Sequence, residues 1–175
     1  MAKRYTIDAW QEDVDSALTK GFYQWGTMAF WEYQDAEWKH QDILGDTILV
    51  MAWWMINTHQ TLARSRNTAY AYEGLIHAYQ LAKTRKLEDA ARSLYRTLNR
   101  GLYKLTSWQV DGPLANLNPY LREHYTNDPL ARGGIMNHKA EAPLRIDVTQ
   151  HQMHAVILAL KYVYTDYPDA QKKAE

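Results

Sequence analysis

Residues 68–105 read TAYAYEGLIHAYQLAKTRKLEDAARSLYRTLNRGLYKL, and this stretch decides the fold class. Tyr72, Leu75, Ile76 and Tyr79 recur at helical intervals, and Leu87, Ala91, Leu94, Leu98, Leu102 and Leu105 follow at steps of three and four. A helix gathers such positions onto one face, whereas a half-buried strand would alternate. The spacing predicts helices over 68–84 and 87–105. The polar interval between them is short, which makes them antiparallel neighbours.

Working outward, the same period recurs on both sides. Trp10, Val14, Leu18, Phe22, Trp25 and Met28 predict a helix over 6–30, with a bend or break at Gly21 and Gly26. Leu44, Ile48, Met51, Met55 and Leu62 predict another over 43–63. Val148, Ala155, Leu158 and Tyr162 predict a last one over 147–164, where Asp147 followed by Gln150 has the layout of a capping box. Residues 106–145 hold Pro113, Pro119, Pro129 and Pro143 with Gly112, Gly133 and Gly134, so continuous helix cannot survive there. A long irregular segment of this kind is often functional. No stretch of comparable quality has the period of a strand. The expectation is one all-α domain over 1–175, built of antiparallel helical hairpins with one long loop.

With 175 residues, the chain can bury a substantial core. It has no Cys, which excludes disulfides, thiolate zinc sites and thiol catalysis. Twenty basic and twenty acidic residues balance, against the basic excess of a general nucleic-acid binder. The balance hides an asymmetry: residues 1–50 carry a net of −5 and residues 64–104 a net of +6. Such blocks could pair within the fold or orient a homo-oligomer, most simply a dimer. No apolar run is long enough for a bilayer, and the N-terminus becomes charged at once, so the expected setting is cytoplasmic, without membrane contact. Seven Trp and thirteen Tyr against two Phe are unusual, because each adds a polar tip that wants a partner. Periodicity places many of these rings in a core, while some could line a groove that stacks on a flat ligand.

Three constellations could carry chemistry. Arg64 and Arg66 precede a helix entered at Asn67 and Thr68, an arrangement that favours anions through guanidinium forks and the positive end of the helix dipole. The plain alternative is a capped helix with solvated arginines. Glu73 and His77 share a helix face as an acid–base pair or a structural hydrogen bond, and residues 37–40 show a Glu-x-x-His spacing for which no second copy exists. Residues 131–155 gather His138, Arg145, Asp147, Gln150, His151 and His154 around the start of the last helix. They suit acid/base or binding work, an Asp/His/His metal site, or a cap with histidines serving core rings.

The runs NTAYAYEGLIHAYQLAKTRKLEDAARSLYRTLNRGLYKLTSWQ (67–109) and GGIMNHKAEAPLRIDVTQHQMHAVILAL (133–160) resemble the helical hairpins of (α/α)-toroid, or six-hairpin, carbohydrate-active proteins. The resemblance covers about half the chain and implies an incomplete toroid-like array, since a closed one needs more helices than the five read here. It implies a protein that binds or modifies an acidic oligo- or polysaccharide as a lyase, hydrolase or epimerase. Glu73, His138 and His151 would then be the acid/base candidates. Arg64, Arg66, Asn67, Arg145 and Gln150 would hold the ligand, and Trp108 would be an exposed ring stacking on sugar. No cofactor and no metal are expected. The alternative is a non-catalytic helical interaction or assembly protein with an aromatic-rich core.

Overall fold

A computed structural model describes residues 17–36 and 41–165. It is an all-α helical bundle with a small β-hairpin insert. The elements are α1 (Ala17–Asp35), α2 (Gln41–Asn57), α3 (Ala69–Thr84), α4 (Glu88–Thr106), a 3₁₀ turn (Ala115–Leu117), α5 (Pro119–Glu123), β1 (Met136–His138), β2 (Glu141–Leu144) and α6 (Ile146–Tyr162). The five long helices correspond to the five periodic stretches, and the described helices form no closed toroid.

Helix α3 is the hub, packing against α1, α2, α4 and α6. Its small residues make that possible. Ala71, Ala78 and Ala82 are wholly buried, and a Cβ on Gly74 would already lie 3.2 Å from Met55 of α2 and 3.3 Å from Thr27 of α1. Close approach on several sides leaves α3 surrounded, so its buried residues run continuously from Ala71 to Ala78 rather than along one stripe. Helix α4 keeps the amphipathic form: Ala91, Leu94, Leu98, Leu102 and Leu105 face inward, while Arg92, Arg96 and Arg100 face water. Gly101 stands within that continuous helix because the Tyr72 ring lies where a Cβ would sit.

The turn between α3 and α4 carries no glycine. Lys86 takes φ +57° and the Leu87 N–H donates back to the Ala82 carbonyl at 2.8 Å, a Schellman-type closure on a residue other than glycine. Arg85 then anchors the turn on α2 through Asp46 at 2.6 Å.

Several expectations are corrected in detail. The described part of the first helix runs unbroken past Gly21 and Gly26 to Asp35, with Gly26 buried beneath the Phe22 ring one turn earlier. Residues 6–16 of that expected helix lie outside the described residues, as do Glu37 and His40. Helix α2 stops at Asn57, so Leu62 belongs to the following loop. The 106–145 segment is not structureless. Asn118 caps α5 by accepting from the Tyr120 and Leu121 N–H groups, with Pro119 at the first helical position. Strands β1 and β2 pair antiparallel, Met136 opposite Leu144 and His138 opposite Glu141, in a segment too short for a readable alternation. Gly133 takes φ +79° where its N–H donates to Val110, the left-handed region a glycine enters without strain.

The hairpin is stitched to both flanks of the α3–α4 pair. Asn67 N–H donates to the Asn137 carbonyl at 2.8 Å and Lys139 N–H to Ser65 at 2.9 Å; on the other side Met136 N–H donates to Trp108 at 3.1 Å. The residues before α3, after α4 and before α6 thus converge at one end of the bundle.

Candidate functional site

That convergence creates a cleft with two adjoining compartments that share Asn67, Tyr70 and Asn137. The larger, about 480 Å³, is lined by His59, Arg64, Ser65, Arg66 and Thr68 besides the shared residues. The smaller, about 170 Å³, adds Arg145, Asp147, Val148 and His151. The starts of α3 and α6 therefore meet at a common opening, with three arginines around it.

Behind the smaller compartment lies Glu73. Its side chain is 1% exposed, and its Oε1 sits 3.1 Å from His151 Nδ1 and 3.0 Å from His154 Nδ1. An ionised carboxylate only accepts, so it sets both imidazoles as Nδ1–H donors. The other carboxylate oxygen, Oε2, is buried without a partner. Both histidines come from α6, where positions 151 and 154 share a face, and the carboxylate comes from the hub helix. Glu73 is sealed behind them and cannot touch a substrate. Its contact with the smaller compartment runs through His151, which lines it.

The remaining candidates separate. His138 makes local contacts in the hairpin: its Nδ1 is 3.2 Å from the Ala140 N–H and 3.3 Å from Glu141, so it does not join the Glu73–His151 pair. Arg145 precedes α6 and forms a fork with Asp147, at 3.0 Å and 2.7 Å. That guanidinium holds the Asp147 carboxyl below its ordinary pKa, and Asp147 is its partner rather than the helix cap. Trp108, expected as an exposed stacking ring, is only 4% exposed, and the Lys104 ammonium lies 5.0 Å over its face. Gln150 points outward from α6. Among the described residues, no group of three His, Asp or Glu side chains has the arrangement to hold a metal ion.

Sequence reasoning missed the polar knot under the cleft. Asn67 Oδ1 accepts from the Ala69 N–H at 2.9 Å, and its Nδ2 donates to Gln152 Oε1 at 3.2 Å. Gln152 in turn donates to the Leu105 carbonyl at 3.0 Å, joining the start of α3, the end of α4 and the middle of α6. A signal existed: Gln152 stands on the inner stripe of α6 with Val148, Ala155 and Ala159. A polar residue on a core face needs partners.

His77, one turn after Glu73, lies flat against Trp31 with centroids 5.5 Å apart and tilts against Tyr162. Burial pushes its imidazole down to about 4; the Gln80 hydrogen bond opposes this, and the nearby His154 and Lys161 charges add to it.

A different surface lies on the far side of α6. Met153 (59% exposed), Ile157 (52%) and Leu160 (51%) form a solvent-facing apolar patch at steps of four and three, with Ile146 (89%) two turns earlier and the exposed Gln150 between. Apart from His151 and His154 on its inner side, the helix carries only Asp147 and Lys161 as acidic or basic residues, one at each end. After α6, Tyr164 belongs to a cluster with Tyr95 (6.4 Å) and, through it, Tyr79 (6.1 Å). These rings border a groove of about 330 Å³ with Lys83, Glu88 and Arg92. No described helix is long and apolar enough to cross a membrane.

Comparison with protein-family models, with curated proteins and with solved structures finds no match to this chain.

Proposed function

We propose that the chain is a helical interaction protein that assembles through the outer face of α6, with a second copy of itself as the partner. The observation that carries this reading is the exposed apolar patch of Met153, Val156, Ile157 and Leu160 on a helix whose opposite face is already packed. Isolated exposed apolar residues are ordinary, but a contiguous patch of them on one helix marks a docking face. The antiparallel arrangement of one helix on its copy chooses the partner. A two-fold axis near Met153 sets Leu160 against Ile146 of the other copy. It also opposes the two helix dipoles. This face offers roughly 500 Å² per copy, about 1,000 Å² in all, which places the dimer at the weak end of specific interfaces. The Tyr79, Tyr95 and Tyr164 cluster is a separate aromatic surface that supports an interaction role.

Sedimentation velocity of the full chain should show a monomer–dimer equilibrium at roughly tens of micromolar. Replacing Ile157 and Leu160 together with Glu should yield monomer with an unchanged melting temperature, because both side chains already face water. A wild type that stays monomeric, or a double variant that still dimerises, would overturn the assembly.

The Glu73–His151 contact beside the cleft favours a second reading, modification of an acidic glycan. His151 would be the acid/base, oriented by Glu73, with Arg145 near the ligand's negative group. On that reading His151→Ala abolishes product formation from uronate-containing oligosaccharides with helical content unchanged. Equal product from a folded variant would remove His151 from any mechanism.

A further inference from the structure

The residues that follow α4 enclose a cavity of their own, which shares no lining residue with the cleft or with the outer face of α6. We propose that it binds a free α-amino acid with an apolar or aromatic side chain.

Short-range hydrogen bonds set the frame. Val110 N–H donates to the Gly134 carbonyl and Gly133 N–H to the Val110 carbonyl, each at 2.9 Å, which fixes the turn after α4. The 3₁₀ turn follows, closed by the Leu117 and Asn118 N–H groups at 3.0 Å, and the Asn118 cap then starts α5. Between these pieces lie about 430 Å³, the size of a small organic molecule rather than of a bare ion. Val110, Pro113, Ala115 and Leu121 supply apolar walls. Val110 is buried and Leu121 packs against the core, so the bundle backs these walls.

Two opposite charges, Asp111 and Arg122, line this one cavity. They do not pair with each other. Asp111 pairs instead with Arg132, Oδ2 to Nε at 2.9 Å, and Arg132 is not part of the lining. Asp111 takes φ +55°, a left-handed conformation that Asp tolerates better than most residues, in a turn where Gly112 N–H donates to the Gln109 carbonyl at 3.1 Å. Opposite charges that border one space without meeting match a ligand carrying both, its ammonium toward Asp111 and its carboxylate toward Arg122. The match needs no excess of either sign, only the presence of both.

Neutral groups in the lining add to both kinds of contact. His124 Nδ1 donates to the Tyr120 carbonyl at 3.0 Å, and its ring stacks on that of Tyr120 with centroids 4.1 Å apart. In the neutral ring Nε2 is then an acceptor suited to an ammonium. Thr126 Oγ1 accepts from the Asp128 N–H at 3.1 Å, so its own hydroxyl proton remains to be donated to a carboxylate. An inorganic ion would leave the apolar walls unused, and a hydrocarbon would leave both charges unused. An α-amino acid carries two charges on one carbon and an apolar body beside them, which uses all three.

Titration calorimetry on the full chain with L-phenylalanine, L-leucine and glycine tests this. At least one of the two larger amino acids should bind, and glycine should bind about ten-fold more weakly or less because it buries no side chain. The N-acetyl and the amide forms of the tighter ligand each lack one charge, and each should bind about ten-fold more weakly than the parent. Arg122→Ala and Asp111→Asn should weaken the parent to a similar degree with an unchanged circular dichroism spectrum; Asn also accepts the left-handed backbone at position 111. Failure of both larger amino acids to bind would overturn the site. So would glycine or a blocked form that binds as tightly as the parent, or an Arg122→Ala variant that binds as the wild type does.

Discussion

Glu73→Ala should destabilise the fold by about 3–5 kcal/mol, read as a drop in melting temperature of roughly ten degrees. The side chain is enclosed in the hub helix, so truncation leaves a cavity that the packed neighbours α1, α4 and α6 cannot close; that alone costs about 2–3 kcal/mol. Two imidazole N–H groups lose their common acceptor, at about 1 kcal/mol each, with His154 discounted because it is 45% exposed and water can replace the carboxylate there. Relief of the unpartnered Oε2 works the other way. Glu73→Gln separates these contributions. Its amide oxygen can still accept from both rings, and the buried charge is gone, so it should fall within about 1 kcal/mol of the wild type. A Gln variant as unstable as the Ala variant would mean that the charge, and not the contact, holds the cluster.

Stability should fall as pH drops from about 7 to 4, and His77 should supply up to about 3 kcal/mol of that fall. In the unfolded chain its imidazole titrates near 6.5, while in the fold burial against Trp31 and Tyr162 lowers it to about 4. Between those values the unfolded chain takes up a proton that the folded chain does not, so the equilibrium shifts toward unfolding. The contribution is fully present above about 6.5 and is lost as pH falls toward 4. His77→Phe keeps a ring on Trp31 and removes the titration. Denaturant titrations at several pH values should give the variant a flatter profile across this window. Parallel profiles for the two proteins would show that His77 takes up its proton as readily folded as unfolded.

Both effects originate in α3, and α3 shows where sequence reading stops. Its period announced a helix, yet its content (Ala71, Gly74, Ala78 and Ala82 beside Tyr72, Leu75 and Ile76) does not say that four other helices will crowd it. Small residues permit close approach without naming the neighbour. The long segment 106–145 was readable as non-helical from its prolines, whereas the β1–β2 hairpin was not, because three- and four-residue strands are too short to alternate visibly. The Lys86 turn lacked the glycine that usually marks a left-handed closure.

For the site, the sequence by itself determined the five long helices, the polar residues at the starts of α3 and α6, and the uncharged character of α6 between Asp147 and Lys161. Local spacing governs each of these, through helical period, capping chemistry and the positions of breakers. Only the tertiary structure decided which candidates meet. Glu73 reaches His151 and His154 across 78 and 81 positions, His138 stays within its hairpin, and Trp108 lies covered by Lys104. The same packing turned Gln152 inward and left Ile157 and Leu160 outward. The physical reason is that the apolar face of a helix is a local property of its sequence, while the identity of the group that covers that face depends on how whole helices pack around one another.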